Sequence, residues 1–490
     1  MYQILNLNRM RKLMIIGILC LAGMIFLNSC TKEYTITVTS NNAEWGSVSG
    51  TGTYADGTEI QISAIAKDGF FFIKWEDGNT DNPRAITVTA DATYKAIFSD
   101  NPNGEGGEGN PEDYTFSGNI SENTTWPDRG LAVDYYINGW LRIDGNALLT
   151  IEPGVTIMFT GVDGGIEIGE NAGLKMVGTA AKPIKFVGPT NNPNIGSWDR
   201  IQLHSRRNDN QWEYVEFLRG GSNDADWAPI VDLEGAKLSM KNCTIDGSLN
   251  NGLGLEYEAE LTAFENNTIK NCAGSPIILE AANSLFSLTD GNNSFINNAK
   301  NYVYVTVGNF DLSENCTLKK LSIPYYFKNS FDLYGSRKLT IEAGTTLLFP
   351  YDTFFKVAED ATLVADGTES NPITFKAEDP ENHWKGVEFR STRTGNVMNY
   401  CKISDGGIEV EDWSRSSLLF IDDEAKLTLT NCEFNKSFYG VWIEDINNWG
   451  NVTHSGNTFS NCSVANVHLE YEGDYNDVHY DEGTNLDELP

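Results

Sequence analysis

The chain has 490 residues, with 35 basic and 68 acidic side chains and a formal net charge of −33. A field this negative repels DNA, RNA and anionic lipid surfaces, which excludes nucleic acid as a partner held by charge. It also opposes an acidic polysaccharide unless calcium or a local basic groove intervenes.

At the N-terminus, Arg9, Arg11 and Lys12 precede an apolar run over residues 13–27. That run is shorter than the ~20 residues a bilayer-spanning helix needs. Leu27-Asn28-Ser29-Cys30 follows and resembles the lipobox cut by the lipoprotein signal peptidase. The resemblance implies that residues 1–29 are a removed signal peptide and that Cys30 becomes a lipidated N-terminus, with residues 30–33 leading from it. Acyl chains on Cys30 anchor the protein to a membrane, each buried CH₂ adding roughly 0.8 kcal/mol. Residue 31 is Thr, not Asp, which does not suggest inner-membrane retention. The expected location is the outer membrane of a Gram-negative bacterium, facing the surface or the periplasm. Loss of residues 1–29 removes three basic and no acidic groups, so the mature charge is near −33 − 3 = −36.

Residues 34–98 read as a small β domain. Tyr34-Thr35-Ile36-Thr37-Val38 and Glu59-Ile60-Gln61-Ile62-Ser63-Ala64 alternate with period two, as half-buried strands do. Gly46-Ser47-Val48-Ser49-Gly50 and Ala55-Asp56-Gly57-Thr58 are turn-rich. Gly69-Phe70 to Trp75 and Ile97-Phe98 supply large apolar groups for a core. This order of glycines, Tyr54, alternating strands and aromatics resembles the divergent internalin-type B-repeat. The resemblance implies a spacer or adhesive element of bacterial surface proteins, without catalytic residues. Residues 99–113 are Ser, Asn, Pro, Gly and acid, a flexible linker. Its Gly104-Glu105-Gly106-Gly107-Glu108-Gly109 matches a nucleotide-loop pattern in letters only, because no strand precedes it and two glutamates repel phosphate.

From 114 to 490 the chain repeats itself. Leu149-Thr150-Ile151-Glu152-Pro153-Gly154-Val155-Thr156 returns as Leu339-Thr340-Ile341-Glu342-Ala343-Gly344-Thr345-Thr346. Trp198 returns as Trp384, Gly220-Gly221 as Gly406-Gly407, and Asn242-Cys243 as Asn431-Cys432. Two related halves of ~190 residues, about 114–305 and 306–480, are expected, followed by an acidic tail. Short alternating strands separated by Gly, Asn and Asp recur every 12 to 17 residues. This pattern resembles right-handed parallel β-helix proteins of the pectate-lyase-like superfold. It implies an all-β solenoid of ~15 turns at ~25 residues each, stacked at ~4.8 Å. The Asn before each Cys suits a tight turn and can hydrogen-bond an Asn one turn away. Cys243, Cys272, Cys432 and Cys462 then point inward, either as free thiols or as disulfides between turns.

The same superfold serves lyases, hydrolases and adhesins, so function has to come from a site. Acids cluster at Asp224-Ala225-Asp226 and at Glu409-Val410-Glu411-Asp412, each beside a tryptophan, Trp227 and Trp413. The candidate ligand-binding residues are therefore Trp227, Trp413, Asp226 and Asp412: an indole face can stack on a sugar ring. Asp224, Asp226, Glu409 and Glu411 are candidate ligands for Ca²⁺, which takes carboxylate oxygens. Acidic surface loops pinned by an aromatic cap explain the same residues. Asp422-Asp423-Glu424 reads as a turn aligned near Asp232, Glu234 and Gly235. Acids are too frequent for sequence to select a hydrolase pair, the hydrolase pattern of paired aspartates on neighbouring strands is not recognisable, His204, His383, His454, His468 and His479 lack metal-ligand spacing, and no catalytic residue is assigned. The sequence favours glycan or surface-protein binding and adhesion without a cofactor. A polysaccharide lyase or glycoside hydrolase, and a passive spacer, stand as alternatives.

Overall fold

The computed structural model describes residues 32–99, 114–189, 192, 194–222, 227–312, 314–407, 416–444, 451–469, 478–480 and 486. The chain divides into two compact units, the small β domain and a solenoid. In the first unit, Glu33–Ser40 runs parallel to Ala92–Ser99 and antiparallel to Gly52–Ala55. Phe71–Trp75 completes that sheet. Glu59–Ala66 pairs antiparallel with Gly46–Ser49 and Arg84–Thr87. The period-two pattern places Ile36, Val38, Ile62 and Ala64 on the inner faces, where Trp75, Ile86, Ala96 and Phe98 close a core. The Trp75 indole N–H donates to the Asp81 carbonyl at 2.9 Å.

From about residue 115 to 469 the chain forms a parallel β-solenoid of about 13 turns. Most strands have three to six residues, and each pairs in parallel with the strand one turn away. The turns are fewer than the expected ~15 because each takes roughly 27 residues. Loops lengthen them, as between Ile184–Val187 and Ile201–Leu203. Alternate side chains point inward into one hydrophobic core. The strand Val478–Tyr480 pairs antiparallel with Thr458–Leu469 and covers the last open edge.

One sheet runs the whole length. It begins at residues 140–143, passes through Gly165–Ile168, Ile201–Leu203, Pro229–Glu234, Asn251–Glu256, Ile277–Leu279 and Val303–Val305, and continues through Tyr325–Phe327 and Thr346–Phe349. In sequence, Thr346–Phe349 is the copy of Thr156–Phe159, which lies on the neighbouring face of the first half. The second half is thus turned by one face about the solenoid axis. The short helix Ala282–Leu285 interrupts the third face of the first half and packs against Asn309–Asp311, where a new ladder starts.

The repeated tryptophans and glycines serve one packing unit. Trp198 and Trp384 are fully buried and stack on Phe159 and Phe349, with ring centroids 4.5 and 4.4 Å apart. Their indole N–H groups donate to the Leu218 and Ser404 carbonyls at 2.8 and 2.9 Å. A Cβ on Gly220 would lie 2.5 Å from Trp198, and one on Gly406 would lie 2.8 Å from Trp384. Each indole requires the glycine one turn further on.

Asn242, Asn271, Asn431 and Asn461, each preceding a cysteine, adopt left-handed φ of 53°, 57°, 53° and 56°. Asn431 and Asn461 donate to Asn399 and Asn435 across one turn. Asn242 and Asn271 instead donate to Glu213 and Asp246. The buried amides are different residues. Asn267 accepts the Cys243 N–H, Asn298 the Cys272 N–H, and Asn457 the Cys432 N–H. Among the described residues, the six cysteines are unbridged, and five of them are buried.

Candidate functional site

In a strand every second side chain faces outward. Four successive turns of the continuous sheet carry Ile201-Gln202-Leu203-His204, Val231-Asp232-Leu233-Glu234, Leu253-Gly254-Leu255-Glu256 and Ile277-Ile278-Leu279-Glu280, stacked in register. The first and third positions fill the core. The second positions stack as Gln202, Asp232 and Gly254, below Glu167 of the preceding turn. The fourth positions stack as His204, Glu234, Glu256 and Glu280.

Asp232, Glu234 and Glu256 each bring a carboxylate oxygen within 4.8 Å of the others. Glu234 and Glu256 are direct cross-strand partners, an arrangement that destabilises a sheet when both are charged. Two such charges about 5 Å apart repel by roughly 3 kcal/mol at an effective dielectric near 20. The cationic answer is thin. Arg200 lies 3.7 Å from Asp232 Oδ2 but also pairs with Asp199 at 3.0 Å. His204 Nδ1 lies 3.3 Å from Glu234, and the Gln202 amide donates to the same carboxylate. Among the described residues no Lys, Arg or His ion-pairs with Glu256.

Asp232 is only 1% exposed, and its Oδ1 accepts no hydrogen bond from the described residues. The Trp227 indole covers it. A Cβ on Gly254 would lie 3.1 Å from the Trp227 ring and 3.1 Å from Asp232 Oδ1, so the missing side chain makes room for both. The Trp227 N–H faces Asp232 and Glu256 and draws both carboxyls down without the geometry of a completed hydrogen bond. Burial outweighs it. Burial first, then the Glu234 charge, against Arg200, pushes Asp232 up to about 7. Burial, then the charges of Asp232 and Glu234, pushes Glu256 up to about 8.

Beside this cluster runs a polar groove, made of two adjoining depressions of about 390 and 490 Å³ that share Glu170, Asn171 and His204. Arg142, Asp144 and Glu167 line one end, and Arg206, Glu234 and Tyr257 the other. Arg142 is held by Asp144 at 2.7 Å and Glu167 at 3.0 Å. Tyr257 is 71% exposed at a left-handed turn.

The second half repeats the positions but not the chemistry. Register places Glu388 at the Gln202 position, Arg390 at His204, Phe420 at Asp232, Asp422 at Glu234, Trp442 at Gly254 and Glu444 at Glu256. Asp422, Asp423 and Glu444 also lie within 4.8 Å of one another. Here a fixed cation answers them, because Arg390 pairs with Asp422 at 2.7 Å and with Glu388. The Asp422 backbone carbonyl accepts the Ala425 N–H in the turn expected at 422–424.

Of the residues singled out from sequence, Trp227 is half-buried over Gly254, against the acid cluster. Asp224, Asp226, Glu409, Glu411, Asp412, Trp413 and Cys30 lie outside the described residues. Sequence reasoning missed Asp232, Glu234, Glu256 and the groove residues. No pair of carboxylates could be selected from sequence, and register now sets Glu234 opposite Glu256.

Fold and site together define an all-β protein with a small β domain and, after it in sequence, a parallel solenoid that carries an acid-lined polar groove. Residues 36–102 match the family model of the divergent InlB B-repeat domain, which is the module that the 34–98 pattern resembles. Comparison with curated proteins and with solved structures returned no match.

Proposed function

We propose that this chain is a cell-envelope display protein that binds a glycan in the solenoid groove without turning it over. Cys30 carries the lipid anchor at the outer membrane, and the solenoid presents the groove for adhesion. The groove carries the reading. It is open and polar, crosses several turns, and offers Arg142, Arg206, Asn171 and His204 for hydroxyl groups and the exposed Tyr257 for a sugar face. Hydrolysis requires two carboxylates facing one open space. Asp232, at 1% exposure, does not face that space, and Glu167 and Glu234, which do, are engaged by Arg142 and by Gln202 and His204.

The test is retention of labelled envelope polysaccharides on the full chain, comparing wild type with Tyr257→Ala and Arg142→Ala, alongside a reducing-end assay. Retention that falls in both variants with no new reducing ends is the expected result. No retention, or equal retention in all three, overturns binding in the groove. Accumulating reducing ends overturns the absence of turnover.

A further inference from the structure

We propose that Asp232, Glu234 and Glu256 form a divalent-cation site that takes calcium in preference to magnesium. The site lies on the wall of the groove but does not depend on a glycan occupying it.

Three observations carry the proposal. The first is donor geometry. Calcium binds carboxylate oxygens at 2.3–2.6 Å, so two oxygens on one ion lie at most roughly 5 Å apart. The three carboxylates meet that limit, with donor atoms within 4.8 Å of one another. The second is the Oδ1 of Asp232. It is 1% exposed, accepts no completed hydrogen bond among the described residues although the Trp227 N–H faces the carboxyl, and lies against the turn that carries Glu256. A buried acceptor left this way costs stability unless something answers it. The third is the internal comparison. The duplicated acids Asp422 and Glu444 stand at the same register positions, and there the neighbouring position is Arg390, which pairs with Asp422 at 2.7 Å. The first half has His204 at that position, which sits 3.3 Å from Glu234 and leaves Glu256 without an ion-pair partner among the described residues. The second half sets its guanidinium on the acid ladder itself, whereas in the first half Arg200 reaches only Asp232 Oδ2, at 3.7 Å and shared with Asp199, which leaves the Glu234–Glu256 side open to an ion from solution. Magnesium dehydrates reluctantly and demands a compact octahedron, which three carboxylates fixed to three positions on two strands do not provide.

The full chain is titrated with CaCl₂ and then MgCl₂ by calorimetry at constant ionic strength, with thermal unfolding followed in parallel. Calcium is expected to bind at roughly 10⁻⁴–10⁻³ M, the range of extracellular calcium modules, with magnesium at least about tenfold weaker. Asp232→Asn and Glu256→Gln keep shape and remove charge, so both should fold and unfold no lower than wild type without calcium. Each should weaken calcium binding by about tenfold or more and lose the calcium-induced rise in Tm. Asp422→Asn should bind as wild type does. Absence of calcium binding in wild type overturns the proposal. So does unchanged affinity in Asp232→Asn and Glu256→Gln, or equal affinity for the two ions.

Discussion

Replacing Asn267 with alanine tests whether the solenoid is held turn by turn through buried amides. Asn267 is 1% exposed. Its side-chain oxygen accepts the Cys243 N–H at 3.0 Å, and its amide donates to the Met240 carbonyl and to Asn293 Oδ1, each at 3.0 Å. Asn267→Ala removes all three bonds and leaves the Cys243 N–H orphaned in a dry interior. One buried unsatisfied group costs about 1–3 kcal/mol, and with the lost partners the local cost is about 3 kcal/mol. Turns of a solenoid contact chiefly their neighbours, so the loss is local. Native-state hydrogen exchange at the Cys243 amide reads it directly. At about 1.4 kcal/mol per tenfold, exchange should accelerate about a hundredfold. The control is Asn271→Gly. Asn271 has φ of 57° and an exposed bond to Asp246. Glycine adopts that backbone without strain, so exchange should change less than about threefold. Equal acceleration in both variants, or none in Asn267→Ala, refutes the assignment of the buried amides as the ties between turns.

The remaining predictions concern packing and titration. Cys243 and Cys272 are buried and their thiols are pushed up to about 12 by burial, so at pH 8 a thiol reagent should label half-buried Cys316 first. Labelling of Cys243 or Cys272 before unfolding, read by mass spectrometry, contradicts this. Gly254→Ala places a Cβ 2.5 Å from Pro229 and 3.1 Å from Trp227; overpacking of this kind costs about 1–3 kcal/mol, and Trp227 fluorescence should shift with the displaced ring. Trp384→Ala removes a fully buried indole stacked on Phe349 and should cost about 3–5 kcal/mol, whereas a cost under about 1 kcal/mol in denaturant melts contradicts the packing. Burial holds the phenols of Tyr135 and Tyr326 up to about 12, above the usual 10. Between those values the unfolded chain has lost protons that the folded chain keeps. Their contribution to stability is therefore complete below pH 10 and fades as pH rises through 12. An alkaline melt series that shows rising stability over that interval excludes the assignment.

The strands, the duplication and the recurrence of Trp198 as Trp384 are legible in the sequence because they depend on near neighbours and on repeated letters. Ile201, Val231, Leu253 and Ile277 show why the acid cluster is not. They stack in register although they are separated by 30, 22 and 24 residues. Loop length varies at little energetic cost, so no fixed period brings Asp232, Glu234 and Glu256 together. A signal was nevertheless present. Val-Asp-Leu-Glu, Leu-Gly-Leu-Glu and Ile-Ile-Leu-Glu begin at 231, 253 and 277, and stacking the apolar pairs would have aligned the acids. The buried amides were hidden for a different reason. Asn267 and Asn271 lie on either side of one short strand, and only burial distinguishes the tie inside the wall from the turn residue outside it.

The one-face turn between the two halves decides what the pair of acid-bearing patches can reach. With three faces to a turn, the His204 patch and the Arg390 patch look outward in directions roughly 120° apart. A straight polymer lying along the rod meets one patch and passes the other by. Duplication in register would have made one longer strip, whereas duplication turned by one face sets the two patches on different sides of the solenoid.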